Sequence, residues 1–144
     1  MIQIRQMTEA DTAAAAALEA ACFSQPWSEK SFLDALHNPN TLYLMAEADG
    51  RFAGMCGFWQ SFDEADIMNV AVDPAFRRQK IAELLMEELM RRGQLRGITA
   101  FTLEVRASNE AAIGLYEKCG FITEGVRKNF YENPTENALI MWKR

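Results

Sequence analysis

Residues 69–86 read NVAVDPAFRRQKIAELLM, and their reading decides the fold. Up to Val72 the run is apolar and strand-like; Pro74 stops it and a basic turn follows. From there Ile81, Leu84, Leu85 and Leu89 recur at helical spacing, Glu83, Glu87 and Glu88 fall on the water-facing side, and Gly93 suits the helix C-cap. Open α/β sheets bind their ligands beyond the carboxyl ends of strands, and this turn lies at such an end. A helix start exposes unpaired backbone N–H groups and about half a positive charge, here beside Arg77, Arg78 and Lys80. An anionic ligand fits. Taken alone, the loop is equally a solvated cationic turn, because the glycines that phosphate loops usually carry are absent.

Working outward, MIQIRQM alternates apolar and polar residues as a strand, and Thr8 with Asp11 gives an acidic helix start before an alanine-rich helix. PWSEKSFLDALHN reads as a second short helix, capped by Ser28, with Trp27, Phe32, Leu33 and Leu36 as its buried side. TLYLMAEADGRFAGMCGFWQ contains two strands joined at Asp49-Gly50, a pair that tolerates positive φ and favours a tight hairpin. ADIMNVAVD is the next strand. After the helix that begins at Ile81, ITAFTLEVR is another strand, followed by the helix ASNEAAIGLYEKCG with Ser108 or Asn109 as cap and Gly120 at its end. FITEGVRKNFY and ENALIMWKR close the chain as two strands around a polar loop containing Pro134. The expected order is βααβββαβαββ, an α/β fold with a mixed sheet and helices on both faces.

Composition sets bounds. At 144 residues, 49% hydrophobic and 24% charged, the chain matches one globular domain spanning residues 1–144. No run approaches the ~20 apolar residues that span a bilayer, and Glu9, Asp11 and Glu19 spoil the alanine stretch as a signal peptide, so a cytoplasmic protein is expected. The three cysteines, Cys22, Cys56 and Cys119, are widely spaced among apolar neighbours and suit reduced core thiols. With a single histidine, His37, and no CxxC pair, no metal is expected. A net charge of −5 argues against broad nucleic-acid binding and is compatible with a basic partner.

A second constellation lies in LEVRASNEAAIGLYEKCGF, residues 103–121. Glu104 sits between apolar Leu103 and Val105 near a strand end. It is either an ion-pair partner of Arg106 or Arg127, or a general base. Tyr116 follows Asn109 by about two helical turns, and by spacing alone a tyrosine there is more often core than catalyst.

The joint pattern resembles the GNAT superfamily of acetyl-CoA-dependent N-acetyltransferases. It is carried by NVAVDPAFRRQKIAELLMEEL, then LEVRASNEAAIGLYEKCGF, then the closing ALIM strand. Within that superfamily, PWSEKSF, LEVRASN, AAIGLYEKCGF and RKNFYENPTENALIM resemble the RimI-type ribosomal-protein-alanine N-acetyltransferases. The resemblance implies a GNAT fold with a mostly antiparallel sheet of about seven strands and acetyl-CoA as cosubstrate. It implies that Val70, Ala71 and Val72 run beside the pantetheine arm. It implies that the loop of Arg77, Arg78, Gln79, Lys80, Ile81, Ala82 and Glu83 wraps the pyrophosphate, that Asn109 contacts CoA, and that Glu104 is the base and Tyr116 the acid. The partner it implies is the N-terminal alanine of a ribosomal protein; by charge and hydropathy neither nucleic acid nor membrane is expected as a partner, and a monomer or weak dimer is expected. The acceptor would lie between the PWSEKSF region and the RKNFYENPTEN loop.

One position departs from the family pattern Gln/Arg-x-x-Gly-x-Gly/Ala: Arg77 fits, Ala82 is the permitted small alternative, and Lys80 replaces the first glycine. Near-helical dihedrals would make that lysine cheap, whereas positive φ would strain it by about 1 kcal/mol. Two other readings stay open, an acetyltransferase acting on a small amine and an acyl-CoA-binding module without catalysis.

Overall fold

The computed structural model describes residues 1–77 and 79–144; Arg78, expected in the pyrophosphate loop, lies outside them. Strands β1 (Ile2–Gln6), β2 (Thr41–Ala48), β3 (Arg51–Ser61), β4 (Glu64–Val72), β5 (Ala100–Arg106), β6 (Ile122–Tyr131) and β7 (Glu136–Lys143) form one sheet in the order β1-β2-β3-β4-β5-β7-β6. Helices α1 (Thr12–Cys22), α2 (Glu29–Leu36), α3 (Ile81–Leu95) and α4 (Glu110–Lys118) complete the expected order. Neighbouring strands are antiparallel except β4 and β5, which run parallel.

Local chemistry accounts for the joints. Asp49 and Gly50 take φ of 52° and 78° at the β2–β3 hairpin, as the right-handed twist of the flanking strands demands. Ser28 caps α2 by accepting from Ser31 N–H, and Asn109, rather than Ser108, caps α4 by accepting from Ala112 N–H at 3.1 Å. Gly93 is not a C-cap. It is buried inside α3, where an added Cβ would come within 2.8 Å of the Phe101 ring, and the helix gives way at Gly97, φ 84°. Close packing on β5, not chain reversal, explains the glycine. Leu84, on the expected apolar stripe, is 39% exposed because the stripe narrows to Ile81, Leu85, Met86 and Leu89.

The sheet carries an apolar cluster on each face. On one, Ile81, Leu85, Met86 and Leu89 of α3 and Tyr116 of α4 pack on Leu44, Phe58, Ile67, Leu103 and Val105. On the other, Ala15 and Leu18 of α1 and Phe32 and Ala35 of α2 pack on Tyr43, Met45, Met55 and Ala71. Because strand side chains alternate, Glu104 faces the α1–α2 side while Leu103 and Val105 face α3 and α4. No described helix is long and apolar enough to cross a membrane.

Two irregularities open the sheet at one end. Strands β4 and β5 pair only at Glu64–Ala100, Ala65–Phe101 and Asp66–Thr102, so beyond Asp66 the parallel strands have parted. On the β3 side, Met55 pairs with Ala71 and Gly57 with Met68, so Asn69 and Val70 together oppose Cys56 as a bulge, with Asn69 at φ 58°.

Candidate active site

The parted strands border a cleft of about 620 Å³. Its walls include Asn69 and Val70 of β4, Leu103, Glu104 and Arg106 of β5, and Asn109, Ala112 and Tyr116 at α4. Unpaired backbone along the separated edges of β4 and β5 offers donors and acceptors to an extended ligand arm.

Glu104 and Tyr116 reach this cleft from opposite faces of the sheet. Glu104 is exposed, and its carboxylate meets Arg127 Nε at 3.4 Å. Of the two arginines open as its ion-pair partner, it takes Arg127. Arg127 also acts on Asp66, whose carboxyl is pushed up by burial and pulled back by the guanidinium. Tyr116 is 8% exposed, its ring edge-on to Phe121, and burial pushes its hydroxyl above the ordinary tyrosine value. Core residue and cleft wall are thus one and the same side chain. Asn109 spends its Oδ1 on the α4 cap, and its Nδ2 has no hydrogen bond among the described residues.

The turn expected to receive an anion forms as β4 ends. Asp73 caps a 3-10 turn at Pro74–Phe76 by accepting from Ala75 N–H at 2.9 Å, and Phe76 is buried under the Arg51 guanidinium. Arg77 and Gln79 are exposed. Lys80 is the N-cap of α3 with φ 59° and ψ 23°, so the lysine that replaces a glycine occupies the left-handed conformation. Ile81, Ala82 and Glu83 form the first turn and present the unpaired amides of a helix start; the Glu83 carboxylate is engaged by Lys118 at 3.1 Å. Val70 and Val72 are half-buried against the α3 face, and Ala71 belongs to the α1–α2 core.

In the same cleft, the α1–α2 connection approaches the end of β6 and the β6–β7 loop, with Phe23, Ser24, Gln25 and Trp27 on one lip and Phe130, Tyr131, Asn133 and Pro134 on the other. Arg106 ties the lips. It donates to Glu132 O at 2.8 Å, Pro134 O at 2.9 Å and Ser24 Oγ at 3.2 Å, and stacks 4.5 Å above the Tyr131 ring. It also pairs with Glu136, whose carboxyl is held low by Ser108 and by that arginine.

Sequence reasoning missed a buried polar chain on the α1–α2 side. Trp59 Nε1 donates to Tyr43 Oη at 3.0 Å, Tyr43 donates to Asn69 Oδ1 at 2.8 Å, and Asn69 Nδ2 donates to Glu19 Oε1 at 3.1 Å. Its signals were present: Glu19 lies four residues after Ala15 and beside Leu18 on the apolar stripe of α1, and Asn69 interrupts an apolar strand.

A parted pair of parallel strands, a bulge at the split and a helix start offered to anions define a class. Residues 12–121 match the Acetyltransferase (GNAT) family, and the chain belongs to it: it is an N-acetyltransferase whose cosubstrate is acetyl-CoA. Two curated relatives are each called [Ribosomal protein bS18]-alanine N-acetyltransferase. That of Salmonella typhimurium is 38% identical over 143 residues, 98% of this chain and 96% of that one. That of Escherichia coli K12 is 37% identical over 145 residues, covering the same shares. The crystal structure of the ribosomal-protein-S18-alanine N-acetyltransferase from Escherichia coli superposes with a TM-score of 0.90 at 36% identity, over 99% of this chain and 92% of that one.

Proposed function

We propose that residues 1–144 act as one catalytic domain that acetylates the N-terminal α-amine of a protein, with the N-terminal alanine of a ribosomal protein as the acceptor. The observation that carries this reading is the groove that continues the cleft. It runs between the α1–α2 connection and the β6–β7 loop, and Glu104, paired with Arg127, lines it. The names of the relatives support the same acceptor.

In this reading acetyl-CoA lies with its pyrophosphate on the amides of residues 79–83, flanked by Arg77, and its pantetheine arm along Val70–Val72 toward Tyr116, past Asn109. An α-amine titrates at about 7.7–8.0 against about 10.4 for lysine, so one carboxylate suffices to take its proton at neutral pH. Glu104 receives that proton through water, and Arg127 keeps the carboxylate oriented. The amine attacks the thioester carbonyl, and a backbone N–H at the β4 bulge donates to the oxyanion. As the C–S bond breaks, Tyr116 donates a hydrogen bond to the departing sulfur, and the thiolate takes up the proton that the attacking nitrogen sheds on becoming an amide. Its raised pKa keeps it protonated throughout the neutral range, so it serves as a donor rather than as a titrating acid.

Incubation of the enzyme and acetyl-CoA with cellular protein, followed by mass spectrometry of N-termini, tests the acceptor. New α-N-acetylation of alanine-initiated ribosomal protein is expected, and acetylation confined to polyamines or aminoglycosides would replace this reading with small-amine transfer. Glu104→Gln is expected to leave acetyl-CoA binding intact by calorimetry and to lower turnover near neutral pH by about 10²-fold. An unchanged rate removes Glu104 from the role of base.

A further inference from the structure

Glu19 is 4% exposed and sits on α1 at the wall of the cleft. Its Oε1 accepts from Asn69 Nδ2 at 3.1 Å and from Trp27 N–H at 3.4 Å, while Oε2 is buried and has no partner among the described residues. Burial pushes its carboxyl up. A buried carboxylate with one oxygen unsatisfied is a liability to folding that an apolar side chain would avoid, and the neighbouring buried positions of α1, Ala15 and Leu18, are apolar. What offsets that cost is what the carboxylate accepts, the Asn69 Nδ2 and Trp27 N–H donors.

What the carboxylate does hold is Asn69. That side chain is gripped at both ends, by Glu19 through its Nδ2 and by the Tyr43 hydroxyl through its Oδ1. Tyr43 is itself fixed: it accepts from Trp59 Nε1, and its ring lies so close on Gly57 that a Cβ there would come within 2.3 Å. Asn69 holds φ 58° inside a strand, a conformation strained by about 1–2 kcal/mol for most residues, and the bulge it makes lies past the last β4–β5 pair. The backbone at residues 69–70 thus borders the cleft, and its direction depends on how the Asn69 side chain is held.

We infer that Glu19 is a positioning residue for acetyl transfer: through Asn69 it fixes the β4 bulge, and so the aim of the backbone N–H groups that receive the thioester carbonyl. The inference deepens the transfer mechanism proposed above and rests on it. Its test compares wild type with Glu19→Leu, Glu19→Gln, Asn69→Gly and the Leu/Gly double variant, reading kcat, KM for acetyl-CoA, KM for an alanine-initiated peptide, and Tm. Glu19→Leu is expected to lower kcat by roughly tenfold or more, as a misaimed donor does, with both KM values within about threefold, while Tm reads separately the cost of leaving Asn69 Nδ2 and Trp27 N–H without their acceptor. Glu19→Gln, whose amide oxygen can accept both hydrogen bonds, retains kcat within about threefold. The double variant is no slower than the slower single one, because both act through one element.

An unchanged kcat in Glu19→Leu overturns the inference. So does a loss confined to the peptide KM, which would make Glu19 a receptor for the acceptor's ammonium, or a Gln variant as slow as Leu, or losses that multiply. Backbone amide shifts of Asn69 and Val70 in nuclear magnetic resonance spectra, displaced by Leu and preserved by Gln, decide the matter without turnover. If the wild type acetylates no α-amine, the acceptor reading fails while those shifts still judge Glu19.

Discussion

Lys80 opens α3 at φ 59°, in the region where a Cβ crowds the following carbonyl by about 1–2 kcal/mol relative to glycine. The sequence left two possibilities for this residue, cheap near-helical dihedrals or strained positive φ, and the chain takes the second. Nothing in the residue type discloses a dihedral angle, which is why only coordinates separate them. The lysine brings an ammonium to the start of α3 and adds charge where glycine adds none. Lys80→Gly is therefore expected to raise stability by up to about 1 kcal/mol, read as a higher Tm, with the chain entropy of glycine trimming the gain. The same change is expected to weaken CoA binding by about 2–5-fold at low salt, the worth of one exposed ion pair, and by less at high salt. Calorimetry at two ionic strengths checks this, and an affinity that ignores both substitution and salt means that the lysine merely replaces a glycine.

Elements were legible where periodicity changes and where a cap has its own chemistry. The switch at Pro74 from strand to helix, the Asp49-Gly50 hairpin and the Asn109 cap each follow from local rules and recur in the structure. What local rules do not contain is packing between elements. Gly93 read as a helix terminus because glycine ends helices, yet its reason is the Phe101 ring on β5, a neighbour that only the sheet brings close. Likewise the pairing of Glu104 with Arg127 rather than Arg106, and the joining of Glu19 to Asn69, cross between elements. The two helical glycines make this measurable. Gly114 in α4 has open space where a Cβ would go, so Gly114→Ala is expected to stabilise by up to about 1 kcal/mol through helix propensity alone. Gly93→Ala gains the same propensity but forces a Cβ to 2.8 Å from a buried ring, and overpacking of about 1–3 kcal/mol outweighs it. Thermal or urea melts of the two variants should shift in opposite directions, and a stabilising Gly93→Ala would return that residue to a purely local role.

At the scale of the molecule, the sheet is two segments, β1 to β4 and β5 to β7, joined by three residue pairs between β4 and β5 and by the apolar cluster beneath them. The alternation of apolar residues implied a sheet, but the premature end of one strand pairing has no periodic signature, so the cleft was reachable from sequence only by resemblance. A ligand arm lying in the split would bond to backbone on both sides and so restore, non-covalently, the ladder that the strands abandon. In the binding mode proposed above, acetyl-CoA would be a staple between the segments and not only a passenger on the helix start. At a free concentration near 100 times its Kd, a ligand of the native state adds about 2.7 kcal/mol, which raises Tm by roughly 5–11 °C for a domain of this size. The distribution of that gain is the sharper test. Hydrogen exchange should slow together in residues 67–72 of β4 and 103–106 of β5, while β1 and the outer edge of β6 change little. Protection confined to residues 79–83 would mean that the anion-binding turn holds the cosubstrate by itself and that the split contributes no backbone partners to it.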